Sequence, residues 1–528
     1  MTDTQVDAPG GADGSRSEQG ASRLHRLIHG WSATLVQIFL ALTQQLLLIP
    51  AFLHFWSSDM LAAWLALFAA GNLIVVADSG LQLRSINRFL AFKSCVDCDG
   101  RTANFYARMM RIYLRIVVML GALLIVGIEL FPSAEYLGFR GLPTFDTAML
   151  VITVGTLLSL PANLVAGLYR ARGKYGRAVW AQNVALGLGQ VGQLVAVAWF
   201  GSLLAVAIVY VSAQILFALF LIVHDAPRQL PFLRRARGRS TARSFASWRW
   251  SAGQFRLGFP FFISNMAELA LANAPMLLVS AMIADRVAVA QWGLVRVIPS
   301  FLRSFCMLMT LPIGAELGHD YATGDKERLR RLYAQSSLLI TAMASLIVAG
   351  LLPFWSDFFA LWTHGSIPND ATLAVALLLG SAVVAPSLMA FVFANHSNRG
   401  DLLVRTKGLQ LIAFLILSAL LIPRLGPLGA AIAMVASDLL TQFGILTLVI
   451  MRQTLAHPLR HMLALVASMV VIILGGWGLG LAIHAMVPGT GMFRFLAECA
   501  IWLVVVMLAA SPLLSARVRH YVLKAVPS

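Results

Sequence analysis

Two arginines lie seven residues apart in an otherwise apolar stretch of the sequence, and their side chains could bind a phosphate group. They are Arg296 and Arg303, which a helix would place on nearly one face. A guanidinium group offers a planar fork of N–H donors that matches phosphate oxygens. Glu268 lies in the preceding apolar stretch. If both stretches cross a membrane in opposite directions, Glu268 and Arg296 lie at a similar depth in it. A structural ion pair of Glu268 with Arg296 is therefore the alternative interpretation, and Arg303 could simply extend towards water.

A carboxylate without an obvious counter-charge, Asp438, occupies a later apolar stretch. No basic residue shares that stretch at the same depth. A lone buried carboxylate can take up a proton near neutral pH. The sequence thus leaves two interpretations open, ion coupling by H+ or Na+ and a hydrogen-bonded core aspartate.

Four side-chain amides could line a cavity for sugars. Asn265 and Asn273 lie roughly on the face of Glu268, and Gln37 and Gln44 lie seven residues apart in the first apolar stretch. Amides also join helices by hydrogen bonds, so both roles remain open for them.

Asp78 is expected to form an ion pair with a nearby arginine. Asp78 is predicted to end its helix, where the helix dipole disfavours an anion. We therefore expect Arg84 or Arg88 to be its partner, in a structural latch at a cytoplasmic gate.

Cys95 and Cys98 have the CxxC spacing but no further ligands nearby, so no metal site is predicted.

Membrane-spanning helices must position these residues. The 528-residue chain is 59% hydrophobic and 12% charged, with a mean hydropathy of +0.79, whereas soluble proteins carry about 25% charged residues. A span needs about 20 mostly apolar residues. We predict an all-α membrane protein with fourteen spans, near residues 31–55, 60–83, 112–130, 145–168, 179–200, 202–222, 257–282, 287–312, 334–353, 371–394, 408–422, 427–450, 462–484 and 495–514.

The basic residues predict the orientation of these spans. Most of the 40 lysines and arginines fall in alternate loops, and such loops stay in the cytoplasm. We therefore expect both termini in the cytoplasm of a bacterial cell, with the chain in its inner membrane. Basic loops facing anionic lipid account for the net charge of +17, so a nucleic-acid partner is not needed.

An internal repeat is indicated by matching residues at an offset of 225. The pairs are Pro50 with Pro275, Pro161 with Pro386, Gly201 with Gly426 and Ser212 with Ser437. Six spans per repeat give two lobes in parallel orientation. The predicted domains are a disordered tail 1–28, an N-lobe 29–225, a basic cytoplasmic linker 226–255, a C-lobe 256–452, a pair of extra helices 460–516, and a cytoplasmic tail 517–528.

The order of spans and several short motifs resemble one family of transporters. The motifs are Trp64, Asp78-Ser79-Gly80-Leu81, Asn87-Arg88, Leu168-Tyr169-Arg170-Ala171-Arg172-Gly173-Lys174-Tyr175 and Gly426-Pro427-Leu428-Gly429-Ala430-Ala431. They are similar to those of the polysaccharide branch, including Wzx-type O-antigen and exopolysaccharide flippases, of the multidrug/oligosaccharidyl-lipid/polysaccharide exporter superfamily. The resemblance implies alternating access between two lobes. It also implies an undecaprenyl-diphosphate-linked oligosaccharide as substrate, and other polysaccharide assembly proteins as possible partners.

Two function classes compete with the flippase, an efflux pump and a membrane enzyme. A cation-coupled efflux pump of the same fold is the alternative, because its architecture would be shared. An enzyme is disfavoured, since the outer loop 354–370 offers only Asp357, His364 and Asp370 for acid-base chemistry. The sequence also contains no phosphate-cradling glycine loop, and no cofactor is expected. The aromatic residues at the start of that loop, Phe354 to Trp362, are predicted to lie at the membrane interface.

Overall fold

The computed structural model describes residues 32, 36–37, 39–44, 46–91, 100–172, 174–233, 248–397 and 399–514, and their regular structure is helical. The two predicted tails, residues 234–247 of the predicted linker, Cys95 and Cys98 lie outside the described residues.

Fourteen long helices in the described residues occupy the fourteen predicted spans in order. Their bounds are α1 Phe39–Phe55, α2 Ser58–Ile74 continued by Val76–Ala91, α3 Arg101–Leu130, α4 Phe145–Ser159 continued by Pro161–Ala171, α5 Tyr175–Phe200, α6 Leu203–Leu219 continued by Phe220–Asp225, α7 Trp248–Met282, α8 Arg286–Val295 continued by Val297–Thr323, α9 Lys326–Leu351, α10 Ala371–His396, α11 Gly400–Leu425, α12 Pro427–Asp438 continued by Leu439–Thr447 and Leu448–Thr454, α13 Pro458–Met486 and α14 Met492–Ala510. Twelve of them, all except α1 and α7, are long and apolar enough to cross a membrane. The predicted all-α membrane fold is therefore confirmed.

Several helices extend beyond their predicted spans at the basic ends. Helices α3, α9 and α11 begin at Arg101, Lys326 and Gly400, well before the apolar residues that define the spans. Arginine, lysine and glutamate favour helix, so the backbone hydrogen bonds continue where hydropathy has already fallen. Hydropathy marks the part of a helix that suits hydrocarbon and underestimates the helix itself.

Breaks and π-helical turns interrupt five of the described helices. The α2 segments meet at Val75, the α8 segments meet at Arg296, and Pro161 opens the second segment of α4. A proline removes one N–H from the ladder, which explains the break in α4. Helices α6 and α12 contain π-helical stretches at Phe220–Asp225 and Leu439–Thr447, which overlap at the repeat offset of 225.

The helices pack as two groups with an added pair. Helices α1 to α6 contact one another and form what we call the N-lobe, while α7 to α12 form the C-lobe. The two lobes meet chiefly where α2 packs on α7 and α8. Helix α13 packs on α9, and α14 packs on α13.

The two lobes touch near both ends of the membrane domain. At the end that carries the basic loops, called the basic face here, a Cβ on Gly258 would lie 2.8 Å from the carbonyl oxygen of Gly80. At the opposite face, the indole N–H of Trp362 donates to the Leu46 carbonyl at 2.8 Å, and Arg286 Nη1 donates to Leu137 at 3.0 Å. The described residues thus form a conformation in which α2 and α7 contact each other at the basic face.

We expect that Gly258→Ala will open the basic face. Its methyl group would collide with backbone, so α2 and α7 must separate. The measurement is maleimide labelling of Ser304→Cys, an exposed position of α8, from the basic side. Gly253→Ala is the matched control, because a Cβ there meets nothing within 4 Å. Equal labelling rates in the two glycine variants would contradict a closing contact at Gly80 and Gly258.

The aromatic outer segment is more buried than predicted. It forms a short helix, Trp355–Trp362, in which Trp355 is 4% exposed, Phe359 0% and Trp362 8%. These three side chains pack inside the protein and do not face lipid, and the predicted depth of the segment at the membrane interface stays a prediction. They face inward because the helix packs on α10 and α14 while the Trp362 indole bonds to the N-lobe.

The orientation of the chain stays a prediction with a direct test. Lys326 and Ser356 flank opposite ends of α9, and both are exposed. In a variant without native cysteines, an impermeant maleimide added to the periplasm should label Ser356→Cys and spare Lys326→Cys. The reverse pattern would place the basic face outside and overturn the predicted cytoplasmic termini.

Candidate functional site

Four ionisable side chains contact one another in the C-lobe, on helices α7, α8, α11 and α12. A fifth, Arg296, lies two turns before Arg303 on α8 and contacts Ala272, one turn after Glu268 on α7. We call these five the charge cluster, and they are Glu268, Arg296, Arg303, Lys407 and Asp438. Three cations meet two carboxylates, so the cluster has an excess of positive charge. Charges at membrane depth usually face a partner or a water-filled cavity.

Arg303 and Asp438 form the first pair of the cluster. Arg303 Nη1 lies 3.1 Å from Asp438 Oδ2, with the arginine side chain 35% exposed and the aspartate 4%. The amide of Gln410 on α11 donates to the other carboxylate oxygen at 2.5 Å. The premise that Asp438 lacks a basic partner is therefore wrong. Its partner comes from a neighbouring helix, which a search within one stretch of sequence does not see.

Glu268 and Lys407 form the second pair. Lys407 Nζ lies 3.1 Å from Glu268 Oε2, with the lysine side chain 4% exposed and the glutamate 52%. The expected ion pair of Glu268 with Arg296 is replaced by this contact, because α7 packs against α11 as well as against α8. A half-exposed carboxylate halfway along a helix needs a hydrated surface, so this part of α7 borders a polar cleft.

Arg296 lies at the break of α8 and has no carboxylate partner among the described residues. Its Nη1 donates to the carbonyl oxygen of Ala272 on α7 at 2.8 Å, and the side chain is partly exposed. A carbonyl accepts one hydrogen bond without neutralising the charge. Arg296 is therefore the uncompensated cation of the cluster, with further N–H donors available to a ligand.

The four predicted amides occupy different environments. Asn265 is exposed on the α7 turn before Glu268. Asn273 is 6% exposed and accepts a hydrogen bond from Asn72 Nδ2 at 3.4 Å, so it joins the two lobes. Gln37 and Gln44 lie in the described part of the first span and are partly exposed. The structure thus gives Asn273 a contact between helices and leaves the other three near accessible space.

Asp78 belongs to a separate cluster inside the N-lobe. It is 2% exposed and accepts hydrogen bonds from the Tyr113 hydroxyl and from Asn163 Nδ2, the latter at 2.8 Å. The expected partners, Arg84 and Arg88, are replaced by these uncharged groups. The reason is the break at Val75, which puts Asp78 in the first turn of a new helix segment, where the dipole favours an anion.

The motif after α4 forms a network at the basic face. The Tyr169 hydroxyl donates to Asp225 Oδ2 at 2.7 Å, and Arg177 Nη2 contacts Asp225 Oδ1 at 2.7 Å. Arg172 Nη1 donates to the Phe89 carbonyl at 3.0 Å, and Lys174 Nζ donates to the Gln229 carbonyl at 2.9 Å. These bonds hold the ends of α2, α4, α5 and α6 together, which is a structural role for the motif.

Lys407 and Gln410 belong to the site although the sequence did not indicate them. The predicted span 408–422 leaves Lys407 just outside the membrane. Helix α11 begins at Gly400, so Lys407 lies about 10 Å along it. The spacing of Lys407, Gln410 and the buried Phe414 follows one helical face and is the signal that could have revealed them.

A second ionic cluster joins α13 and α14 to the outer helix Trp355–Trp362. Asp357, His484 and Glu498 offer possible metal ligands within 4.8 Å of one another. Arg494 Nε also donates to Glu498 Oε1 at 2.8 Å, and Arg494 Nη2 lies 3.3 Å from His484 Nδ1. The guanidinium supplies positive charge where a metal ion would otherwise do so. We interpret the cluster as a structural link between the added helices and the C-lobe.

Comparison with known proteins identifies the fold. No protein-family model matches the sequence, and no curated protein matches it. A lipid II flippase, MurJ, in an inward closed conformation superposes with a TM-score of 0.69 at 11% identity, covering 93% of this chain and 100% of that one. An inward-facing multidrug resistance MATE family transporter of the MOP superfamily gives 0.60 at 16% identity, covering 80% and 95%. A MOP superfamily transporter from Pyrococcus furiosus gives 0.52 at 14% identity, covering 84% and 94%. The chain is a multi-pass membrane protein, and its fold is that of the MurJ and MATE transporter structures with which it superposes.

Proposed function

We propose that the chain is a flippase that moves an undecaprenyl-diphosphate-linked oligosaccharide from the cytoplasmic to the periplasmic leaflet of the inner membrane. The observation that carries the proposal is the excess of cations in the charge cluster, with Arg296 lacking a carboxylate partner among the described residues. The two lobes would expose this cluster alternately to the two faces.

A diphosphate crossing a bilayer needs compensation for its charge. Burial of an unpaired ion is costly, and a guanidinium group can bind phosphate oxygens through two parallel hydrogen bonds. Arg296 offers such donors beside the partly exposed Arg303. The exposed Asn265, together with Gln37 and Gln44, would contact the sugars. The half-exposed Glu268 would keep Lys407 paired, so that this lysine does not bind the ligand.

A multidrug efflux pump is the second candidate, and the charge of the cluster favours the flippase over it. The fold is shared with a multidrug resistance transporter, so the fold does not separate the two. A site for cationic compounds would need an excess of carboxylates, whereas three cations meet two carboxylates here. The observed charge complements an anionic head group.

Ion coupling through Asp438 would act through its ion pair with Arg303 and not through a lone carboxylate. Asp438 holds Arg303 by an ion pair and is itself nearly buried. Binding of H+ or Na+ at this carboxylate would remove the attraction, and Arg303 would then turn towards the diphosphate. Ion binding and substrate binding would thereby favour each other, because the ion frees Arg303 from Asp438 for the diphosphate.

The test is transport in proteoliposomes that contain the purified protein and an undecaprenyl-diphosphate-linked glycan labelled on the sugar. We expect the labelled head group to become accessible to an impermeant glycosidase on the opposite side within minutes, and protein-free vesicles to show no such exchange. An O-antigen unit, an exopolysaccharide unit and a peptidoglycan precursor should be compared as substrates. Failure of all three, with export of a cationic dye by the same vesicles, would favour the pump.

A further inference from the structure

The outer surface of the N-lobe carries a groove between α5 and α6. Its volume is about 690 Å³, within the range of ligand clefts, which is about 300–1,000 Å³. The groove is lined by the small residues Ala181, Ala185 and Ser212 and by larger apolar residues, including Leu188 and Leu216. Leu188 is 67% exposed and Leu216 66%, so these side chains face the hydrocarbon around the protein.

The groove begins at the basic face and extends past the middle of the membrane. It begins at Arg177 and Asp225, in the first turn of α5 and at the end of the π stretch of α6, and it reaches Leu188 on α5 and Val209 on α6. Eleven residues of α5 cover about 16 Å and sixteen residues of α6 about 24 Å, whereas the hydrocarbon core measures about 30 Å. The occupant is therefore polar at the basic face and apolar beyond it, and it is shorter than a partner helix, which would cross the whole core.

The polar end of the groove holds the pair of Arg177 and Asp225, and further cations lie just beyond the lining residues. The Arg177 side chain is 52% exposed, although it also pairs with the nearly buried Asp225. Arg228 lies exposed one turn beyond Asp225, and Lys174 bonds to the neighbouring Gln229. Three cations against one carboxylate attract an anion at the level of the lipid head groups.

We propose that this groove binds one anionic phospholipid of the leaflet at the basic face. One acyl chain lies between α5 and α6, and the phosphate contacts Arg177 and Arg228. The inference is independent of the proposed substrate, because the groove lies in the N-lobe and the charge cluster in the C-lobe.

The test is native mass spectrometry of delipidated protein titrated with dioleoylphosphatidylglycerol and with zwitterionic dioleoylphosphatidylcholine. We expect a preference of about fivefold for the anionic lipid per basic contact, and Arg228→Gln should reduce this preference. Ala185→Leu combined with Ser212→Leu should fill the groove and weaken binding of the anionic lipid about tenfold or more. Ala122→Leu, on the exposed face of α3, is the matched control and should change nothing.

Two results would overturn the proposal. One is equal affinity of the parent protein for both lipids, and the other is unchanged binding to the filled groove. A second measurement protects against a filled variant that misfolds. A phosphatidylglycerol with a photoreactive acyl chain should crosslink to Val184 or Leu216 in the parent protein, and crosslinks confined to other helices would also reject the site.

Discussion

Replacing Arg296 with Gln is expected to reduce transport of the lipid-linked glycan by roughly 10- to 150-fold. A hydrogen bond to a charged group contributes about 1.5–3 kcal/mol, and every 1.4 kcal/mol corresponds to a factor of about ten. Because Arg296 pairs with no carboxylate among the described residues, its charge remains available to the diphosphate. Arg296→Lys should keep part of the activity, since it retains the charge and loses the planar fork.

The control for this prediction separates binding from folding. Arg296 also donates to Ala272 on α7, so the variant could fail by loosening α8 from α7. Melting temperatures in detergent should therefore be measured for Arg296→Gln and Arg296→Lys. Ser300→Ala, one turn away on the same helix and exposed, is the matched variant that should transport normally. A stable Arg296→Gln protein with parental transport would reject Arg296 as a phosphate ligand.

The pair of Arg303 and Asp438 should respond asymmetrically to neutralisation. Removing one partner of a buried ion pair costs about 3–5 kcal/mol, because the other charge stays buried. Arg303→Gln strands the carboxylate, which is 4% exposed, whereas Asp438→Asn leaves an arginine that is 35% exposed and can reach the cleft. We expect Arg303→Gln to lower the melting temperature clearly more than Asp438→Asn does.

The double variant distinguishes the structural part of this pair from its role in transport. Arg303→Gln with Asp438→Asn should recover most of the lost stability, since no charge remains buried at that contact. Transport should stay impaired in the recovered protein if Arg303 binds substrate and Asp438 couples the ion. Recovery of both stability and transport would reduce the pair to a structural contact. Gln410→Leu removes only the hydrogen bond from the Gln410 side chain to Asp438. Its change in melting temperature shows how much stability the loss of an uncharged partner costs.

The fold was predictable from the sequence because each membrane-spanning helix requires about 20 mostly apolar residues. These segments are long enough to recognise one by one. Apolar length gave the order of the fourteen helices, and the matched Gly201 and Gly426 both end a helix with positive φ, at 59° in each case. Helix ends were less predictable, as α11 shows. The chain stays helical from Gly400 although its first turns contain Asp401, Arg405 and Lys407.

The partners within the site could not be predicted because they depend on which helices become neighbours. Depth alone suggested Glu268 with Arg296, yet α11 places Lys407 against Glu268. Asp438 looked unpaired along its own helix and is paired across to α8. The sequence pointed to Arg296, Arg303, Glu268 and Asp438 as ionisable residues within apolar helices, where the structure also has them. Their pairing follows from the packing of α7, α8, α11 and α12.

The π stretches of α6 and α12 have a mechanical consequence. A π turn holds one residue more than an α turn and often occurs at a functional position. If the wide turn that begins at Leu439 moves one residue towards the N-terminus, the residue that it passes turns by about 100° about the helix axis relative to the helix before it. Asp438 borders this turn, so such a rotation would carry the carboxylate away from Arg303 without moving either lobe. Helix α6 has its own π stretch at Phe220–Asp225. Each lobe therefore contains a position at which side chains can rotate about a helix while the helix axis stays in place.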